Sequence, residues 1–470
     1  MKVARCLLLG SEGIRSVKPT EATVRTDPLA ENLRPSSSNV PEAGVQPPAS
    51  GRIPALRALA SRNYRLFFAG QLVSLIGTWM QSVAQSWLVY RLSGSPVLLG
   101  LVSFAGQIPV FLLAPVGGSL ADCRDRHRII VTTQSASMAL AMILAGLTLG
   151  GQVQIGHVFV LATLLGVVNA FDIPARQAFL VDMVGRDDLI SAIALNSSMV
   201  NSARIVGPAV AGVLVAAVGE GWCFFANGLS YLAVLAGLLA MRLEVRPRSP
   251  RAGSPLAHVV EGFGFVARTA PIRDLLGLLG LISLMGTPYA VLMPIFADQI
   301  LHGGAKELGL LMGASGLGAL LGALVLASRR GVRGLGRWVS RAAAGFGVSL
   351  IAFSLSRRFW LSVALLVPVG FSMMVEMAAS NTLIQAMVPD RLRGRVMAVY
   401  SMMFMGMAPF GALLAGALAQ RVGAPGTVAS GGAACIAGAL VFGWRLPRLR
   451  GEGIQLIVAQ EALAGKPPGA

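Results

Sequence analysis

The chain has 470 residues, 54% of them hydrophobic and only 13% charged, and Lys and Arg outnumber Asp and Glu by 39 to 21. Soluble domains carry roughly 25% charged residues, so a chain long enough for about three such domains could not cover them with so few charges. A polytopic membrane protein is the class that remains. The four cysteines form no CxxC and no Cys/His cluster, which excludes a zinc site and a disulfide framework.

Residues 1–55 are polar and rich in Pro and Ser, and read as a disordered cytosolic tail. The run "CLLLG" behind Lys2 and Arg5 is too short for a signal-peptide core. From residue 66 onward, apolar segments long enough to cross a bilayer core of about 30 Å as helix recur at 66–90, 96–121, 129–149, 158–180, 190–217, 221–241, 274–297, 308–328, 338–355, 359–386, 396–419 and 424–444. The expected fold is therefore all-α, with twelve membrane helices in two six-helix bundles, 56–241 and 274–446. Between them, 242–273 reads as a cytosolic linker with one amphipathic helix, "LAHVVEGFGFVART", and 447–470 as a cytosolic tail.

With the N-terminus cytosolic, the inward loops and flanks hold 27 Lys and Arg and the outward loops hold five. That bias is the positive-inside pattern, and it accounts for most of the net charge of +18. No basic stretch is interleaved with aromatics, so nucleic acid is not an expected partner.

The two bundles echo each other. "LLGLVSFAG" (98–106) aligns with "ELGLLMGAS" (307–315) at a shift of 209, and "GVVNAFDIPARQAFLVDMV" (166–184) with "GFSMMVEMAASNTLIQAMV" (370–388) at a shift of 204. The second register pairs Gly166 with Gly370 and Asp172 with Glu376. A duplicated six-helix unit with a site between the halves near the midplane is a transporter architecture.

On "NYRLFFAGQLVSLIGTWMQSVAQSWLVY", "FDIPARQAF", "AIALNSSMVNSARIVGPAVAG" and "GEGWCFFANGLSYLAVLAGL", the chain resembles the major facilitator superfamily, in its bacterial branch of enterobactin exporters and macrolide efflux proteins. The likeness runs from about Arg57 to Arg445. "GGSLADCRDRHR" (117–128) resembles the superfamily's cytoplasmic gating motif, which implies that role for Gly118, Asp122, Arg126 and Arg128. Asp122 ends its helix, where the dipole is already negative, and needs a cation or a helix N-terminus. Arg126 or the start of the eleventh span, near Arg395, is the expected partner. "ARIVGPAVAG" (203–212) resembles the superfamily's antiporter motif through Gly207, Pro208 and Gly212, and implies export.

Few ionisable residues fall well inside the spans: Asp172, Arg176, Arg204 and Glu376. A central charge is unfavourable by about 2.5–3.5 kcal/mol on insertion scales, so each should face a cavity or another charge. Neutralisation of Arg204 by Asp172 is expected, with a structural ion-pair network of Asp172 and Arg176 at the cytosolic helix end as the alternative, and with Glu376 as the acid that loads and releases protons. Gln71, Ser74, Thr78, Gln81 and Gln85 form one polar face of the first span and are expected to line the substrate cavity, with Asn169, Asn201 and Asn381 beside them; hydrogen bonding to neighbouring helices is the alternative. Nine methionines between Met373 and Met407 suit either a permissive apolar surface or core filling.

No GxxxxGK[ST] and no HExxH are present, so an ATP-driven pump and a zincin are not indicated, and no cofactor is expected. The expected function is secondary active, proton-coupled export of amphipathic small molecules by a monomer in the bacterial inner membrane, with both termini cytosolic. A dedicated siderophore exporter is the alternative within transport, and a non-transporting sensor or a membrane-embedded enzyme the alternative of another class.

Overall fold

The computed structural model describes residues 54–185, 188–241, 255–329, 331–332 and 334–463. The expected N-terminal tail and the first part of the linker lie almost wholly outside these residues. The described residues form eleven helical runs long and apolar enough to cross a membrane. The last of them, Asp390–Gln460, spans 71 residues, about three times what a bilayer core needs at about 1.5 Å per residue. It breaks at Gly423, whose φ of 78° and ψ of 163° are not helical. Only glycine adopts that conformation freely, and the chain turns back there, so eleven runs make twelve passes.

The helices are numbered in chain order: α1 Arg62–Ser93, α2 Pro96–Cys123, α3 Arg126–Leu149, α4 Ile155–Val184, α5 Leu189–Val218 and α6 Glu220–Leu239 form the first half. The linker helix α7 is Pro255–Arg268. The second half holds α8 Ala270–Ile300, α9 Ala305–Ala327, α10 Leu335–Leu355, α11 Phe359–Met387, α12 over 390–422 and α13 over 424–463. Helix α13 runs well past the expected end of the last span. Leu449 is buried, Leu456 and Ile457 pack on the core, and Gly453 lies against Met387, so the expected tail is a docked helix as far as Leu463.

Local chemistry marks several ends. Ser61 caps α1 by accepting from the Tyr64 amide, and Asp125 caps α3 by accepting from His127. Within the spans, Pro109, Pro115, Pro174, Pro208 and Pro368 are accommodated inside helices, as membrane helices allow when neighbours satisfy the freed carbonyls. Two helices of the second half are irregular. Helix α8 passes through a π-turn at Ile282–Gly286, a 3-10 stretch at Thr287–Leu292 and a second π-turn at Phe296–Ile300. Helix α12 carries a π-turn at Met402–Gly406. The Ser283 hydroxyl on the first donates to the Phe404 carbonyl on the last, joining the two irregular segments.

The repeat read from the sequence is carried by the packing. A Cβ on Gly166 would run into the Gly106 carbonyl, and one on Gly370 into the Ser315 carbonyl. Gly106 and Ser315 are related by the shift of 209, Gly166 and Gly370 by that of 204. Each half thus repeats one α2–α4 contact as an α9–α11 contact.

Candidate functional site between the two halves

The halves meet along two helix pairs related by the same two shifts. Gly309 of α9 lies against Pro208 and Gly212 of α5, where an added Cβ would stand 2.5 Å from the Pro208 carbonyl oxygen. Gly100 of α2 lies against Ala412 and Gly416 of α12. The residues that sequence reasoning picked out as an antiporter-like motif, Gly207, Pro208 and Gly212, are therefore where α5 packs closest. Gly207 faces Ile76 and Trp79 of α1, while Pro208 and Gly212 face the other half. Small residues permit this approach of backbones. Phe104 and Phe111 of α2 pack edge-on to Phe410 of α12, and the Tyr90 hydroxyl of α1 donates to Asp298 of α8 at 2.5 Å. These contacts occupy 90–111, 204–212, 298–316 and 406–416, from mid-span to the end of the molecule away from the arginine-rich loops.

At the arginine-rich end, the gating-motif residues stay within the first half. Arg126 pairs with Asp122 at 3.3 Å and with Asp182 of α4 at 3.1 Å, and its guanidinium also donates to the carbonyls of Ala121 and Ala178. Asp182 was missed by the sequence reading; an acid near the end of α4, level with the basic loop, was the available signal. Arg128 is exposed and lies 3.5 Å from Asp125, and Gly118 faces open space. Arg395 pairs with Glu261 of α7 rather than with Asp122, because α7 lies across the start of α12 with Gly262 against the Arg395 carbonyl.

The intramembrane charges are arranged differently from the expectation. Asp172 is 2% exposed and does not neutralise Arg204. Its carboxylate is taken by Arg176 at 2.9 Å, one helical turn along α4, and by Thr133 at 2.7 Å and Gln134 at 2.9 Å on α3. Pairing within one turn of a helix needs no second helix to bring the partner. Arg204 instead lies with its guanidinium 5.8 Å from the centre of the Trp79 ring, and no ion pair to it is found among the described residues. Glu376 is 1% exposed, and among the described residues its side-chain hydrogen-bond partner is the hydroxyl of Ser380 at 3.1 Å. In the repeat register Ser380 stands where Arg176 does.

The polar face of α1 splits. Gln71, Ser74 and Gln81 are buried against the first half's own helices; Asn227 of α6 donates to Gln81 at 2.6 Å. This corrects the cavity-lining expectation for those three: the absence of a side chain at Gly77, which faces Asn227 and Ser230, lets α6 come close enough to cover them. Thr78 is exposed and Gln85 partly so. Asn169, Asn201 and Asn381 are also partly exposed. Of the methionines, Met373 and Met387 are buried and Met405 is exposed, so the cluster serves both of the roles considered.

Known proteins place this arrangement. Residues 53–459 match the family described as transmembrane secretion effector, a major facilitator family. The chain is similar to the staphyloferrin A transporter of Staphylococcus aureus, 26% identical over 80% of this chain and 95% of that protein. It is similar to the multidrug efflux pump Tap of Mycolicibacterium fortuitum, 28% identical over 74% and 87%. It is also similar to the enterobactin exporter EntS of Shigella boydii, 26% identical over 76% and 85%. Among solved structures, the nucleoside transporter NupG shares the fold at a TM-score of 0.65, with 12% identity over 81% of this chain and 98% of that one. All are transporters, so a membrane-embedded enzyme is no longer in question. With two repeated halves touching through small residues and a family match over residues 53–459, the chain belongs to the transmembrane secretion effector family of the major facilitator superfamily.

Proposed function

We propose that the protein exports amphipathic small molecules from a bacterial cytoplasm across the inner membrane, as a monomer, in exchange for protons. The observation that carries the coupling is Glu376: a membrane carboxylate, buried, with a hydroxyl and, among the described residues, no ion-pair partner beside it. Burying an ionised carboxylate with one neutral donor is costly, and taking up a proton removes the cost. A group in that position changes charge when movement of the helices around it admits water.

The positive-inside bias puts both termini, the linker and the Asp122–Arg126 cluster in the cytosol. The contacts through Gly309, Gly100 and Tyr90 then close the extracytosolic side, and the arrangement corresponds to a state open towards the cytosol. In it, Asp122 is held by Arg126 and α12 is held by α7. Closure of the cytosolic side would bring the start of α12 back towards Asp122. The bundles 56–241 and 274–446 act as the two rocking units. Two of the relatives named above are a siderophore transporter and a siderophore exporter, which favours siderophores as a second reading of the cargo.

The test is transport in proteoliposomes with an imposed pH gradient, against dyes, macrolides and catecholate siderophores. Uptake of at least one compound that stops when the gradient is collapsed supports the reading. Equal rates with and without the gradient, for every compound carried, would remove protons from it.

A further inference from the structure

Arg204 stands at the midpoint of α5 and its carbonyl lies against Gly316, near the middle of α9, so it marks the level at which the two halves are in contact. It is partly exposed. The carboxylates that could have balanced it are engaged elsewhere: Asp172 by Arg176, Glu376 by Ser380, Asp298 by Tyr90 and Glu220 by Arg91. The Trp79 ring lies beneath the guanidinium at 5.8 Å. An aromatic face offsets part of the cost of a membrane cation, but it leaves the net charge in place and the fork of N–H donors free.

The surroundings suit a ligand. Ser197, Asn201 and Arg204 share one face of α5, at i, i+4 and i+7, and Ser197 is exposed while Asn201 is partly so. From the other half, next to Gly316, come the hydroxyls of Ser315 and Tyr289, hydrogen-bonded to each other at 2.7 Å. A positive fork and an aromatic ring thus stand at mid-span, at the level of a buried hydroxyl pair in the other half. The close packing of α5 is supplied by Gly207 and Gly212 and does not require the charge.

We infer that Arg204 is the counter-ion for an acidic group on the exported molecule, and that the substrate class is amphipathic anions carrying a carboxylate or catecholate. Arg presents paired donors that match such groups in a bidentate manner, and the Trp79 face accommodates their flat apolar part. This rests on the export reading above and specifies its cargo.

Binding to the purified full-length protein in detergent, with no gradient, tests it by calorimetry. The probes are dihydroxybenzoyl-serine, citrate and carboxyfluorescein as anions, and ethidium and tetraphenylphosphonium as cations. Wild type is expected to bind at least one anion. Arg204→Gln is expected to weaken that binding by about 30-fold or more, Arg204→Lys to keep it within about tenfold, and neither to weaken a cation. Anion binding unchanged in Arg204→Gln would overturn the assignment, as would equal losses for anions and cations, or a wild type that binds no anion. A protein that binds anions through Arg204 yet shows no gradient-driven transport would sink the coupled-export reading and leave this site standing.

Discussion

Asp172 and Glu376 occupy the same place in the two halves and meet different neighbours. Asp172 has a guanidinium, a hydroxyl and an amide around it. Glu376 has one hydroxyl. The difference comes down largely to one position, Arg176 in the first half and Ser380 in the second, each a single turn beyond its acid. An acid paired with a cation is fixed in its charge. An acid without one has two charge states that differ in how well they suit a closed, dry helix bundle. Duplication supplied two equivalent carboxylates, and one neighbour separates a structural pair from a candidate proton carrier.

The helices diverge in the same sense. Helix α1 is regular over its 32 residues, whereas its repeat partner α8 contains two π-turns and a 3-10 stretch. Helix α5 is a single helix, whereas α12 has a π-turn at Met402–Gly406. π-Turns occur mostly at functional sites and are places where a helix bends. The irregular turns of α8 and α12 touch through Ser283 and Phe404, and Gly406 lies against Phe111 of the first half. The first half therefore reads as a stiff unit holding the buried Asp172–Arg176 pair, and the second as the unit that deforms.

Ser380→Arg would turn the second half into a copy of the first, and it carries the largest expected effect. It should pin Glu376 in its charged form and abolish transport driven by an imposed pH gradient, although Glu376 itself is intact. Glu376→Gln should do the same from the opposite direction, by keeping the site neutral. Both are read by gradient-dependent uptake in proteoliposomes; full gradient dependence in either one breaks the contrast between the two acids.

Next in size are the paired glycines. Leucine at Gly309 must displace the Pro208 carbonyl, and leucine at Gly100 that of Ala412. Overpacking costs about 1–3 kcal/mol, which corresponds to a shift of roughly 5- to 150-fold between closed and open states. Labelling by a membrane-impermeant maleimide of a reporter, Gln107→Cys, in a background lacking the four native cysteines, should rise similarly in both variants. A response confined to one would show that the two symmetric contacts do not share the closure.

Asp172→Asn sharpens the stability side of the contrast. Breaking a buried pair costs about 3–5 kcal/mol, and the partial exposure of Arg176, 25% of its side chain, lowers this to about 2 kcal/mol. Glu376→Gln should cost less than half of that, because no cation is abandoned. Thermal unfolding of the two purified variants makes the comparison, and equal losses would remove it.

Why part of this was legible beforehand is a matter of periodicity and range. The twelve passes follow from uninterrupted apolar stretches, and the duplication from Gly166, Gly370 and their flanks, since each glycine is required by a backbone that would otherwise collide. The partner of Arg204 was misjudged because opposite charges in neighbouring spans look matched when side-chain direction is unknown. The i, i+4 spacing of Asp172 and Arg176 was the better guide. Similarly, spacing shows that Gln71, Ser74 and Gln81 share a face but not which neighbour that face meets. The polar Asn227 and Ser230 and the small Gly77 were the signals that it meets α6. The irregularity of α8 had a signal in Pro288 and Pro294, which lack the N–H a regular helix needs, whereas the π-turn at Met402–Gly406 of α12 contains no proline.

The smallest expected effect is at the one hydrogen bond seen between repeat partners α1 and α8 among the described residues. Tyr90 donates to Asp298, which sits on the outer π-turn of α8. Tyr90→Phe keeps the ring, including its contact with Trp87 at 5.8 Å between centroids, and removes the hydroxyl that reaches Asp298 and its neighbour Gln299. A hydroxyl–carboxylate hydrogen bond contributes about 1.5 kcal/mol at the lower end of its range, or roughly tenfold in an equilibrium. The stiff helix is unchanged by the substitution, so the response belongs to α8. Maleimide labelling at Gln107→Cys should rise by about that factor, towards the lower end of the range for the glycine variants. An effect larger than theirs would mean that the deformable segment of α8, and not the small-residue contacts, carries most of the closure.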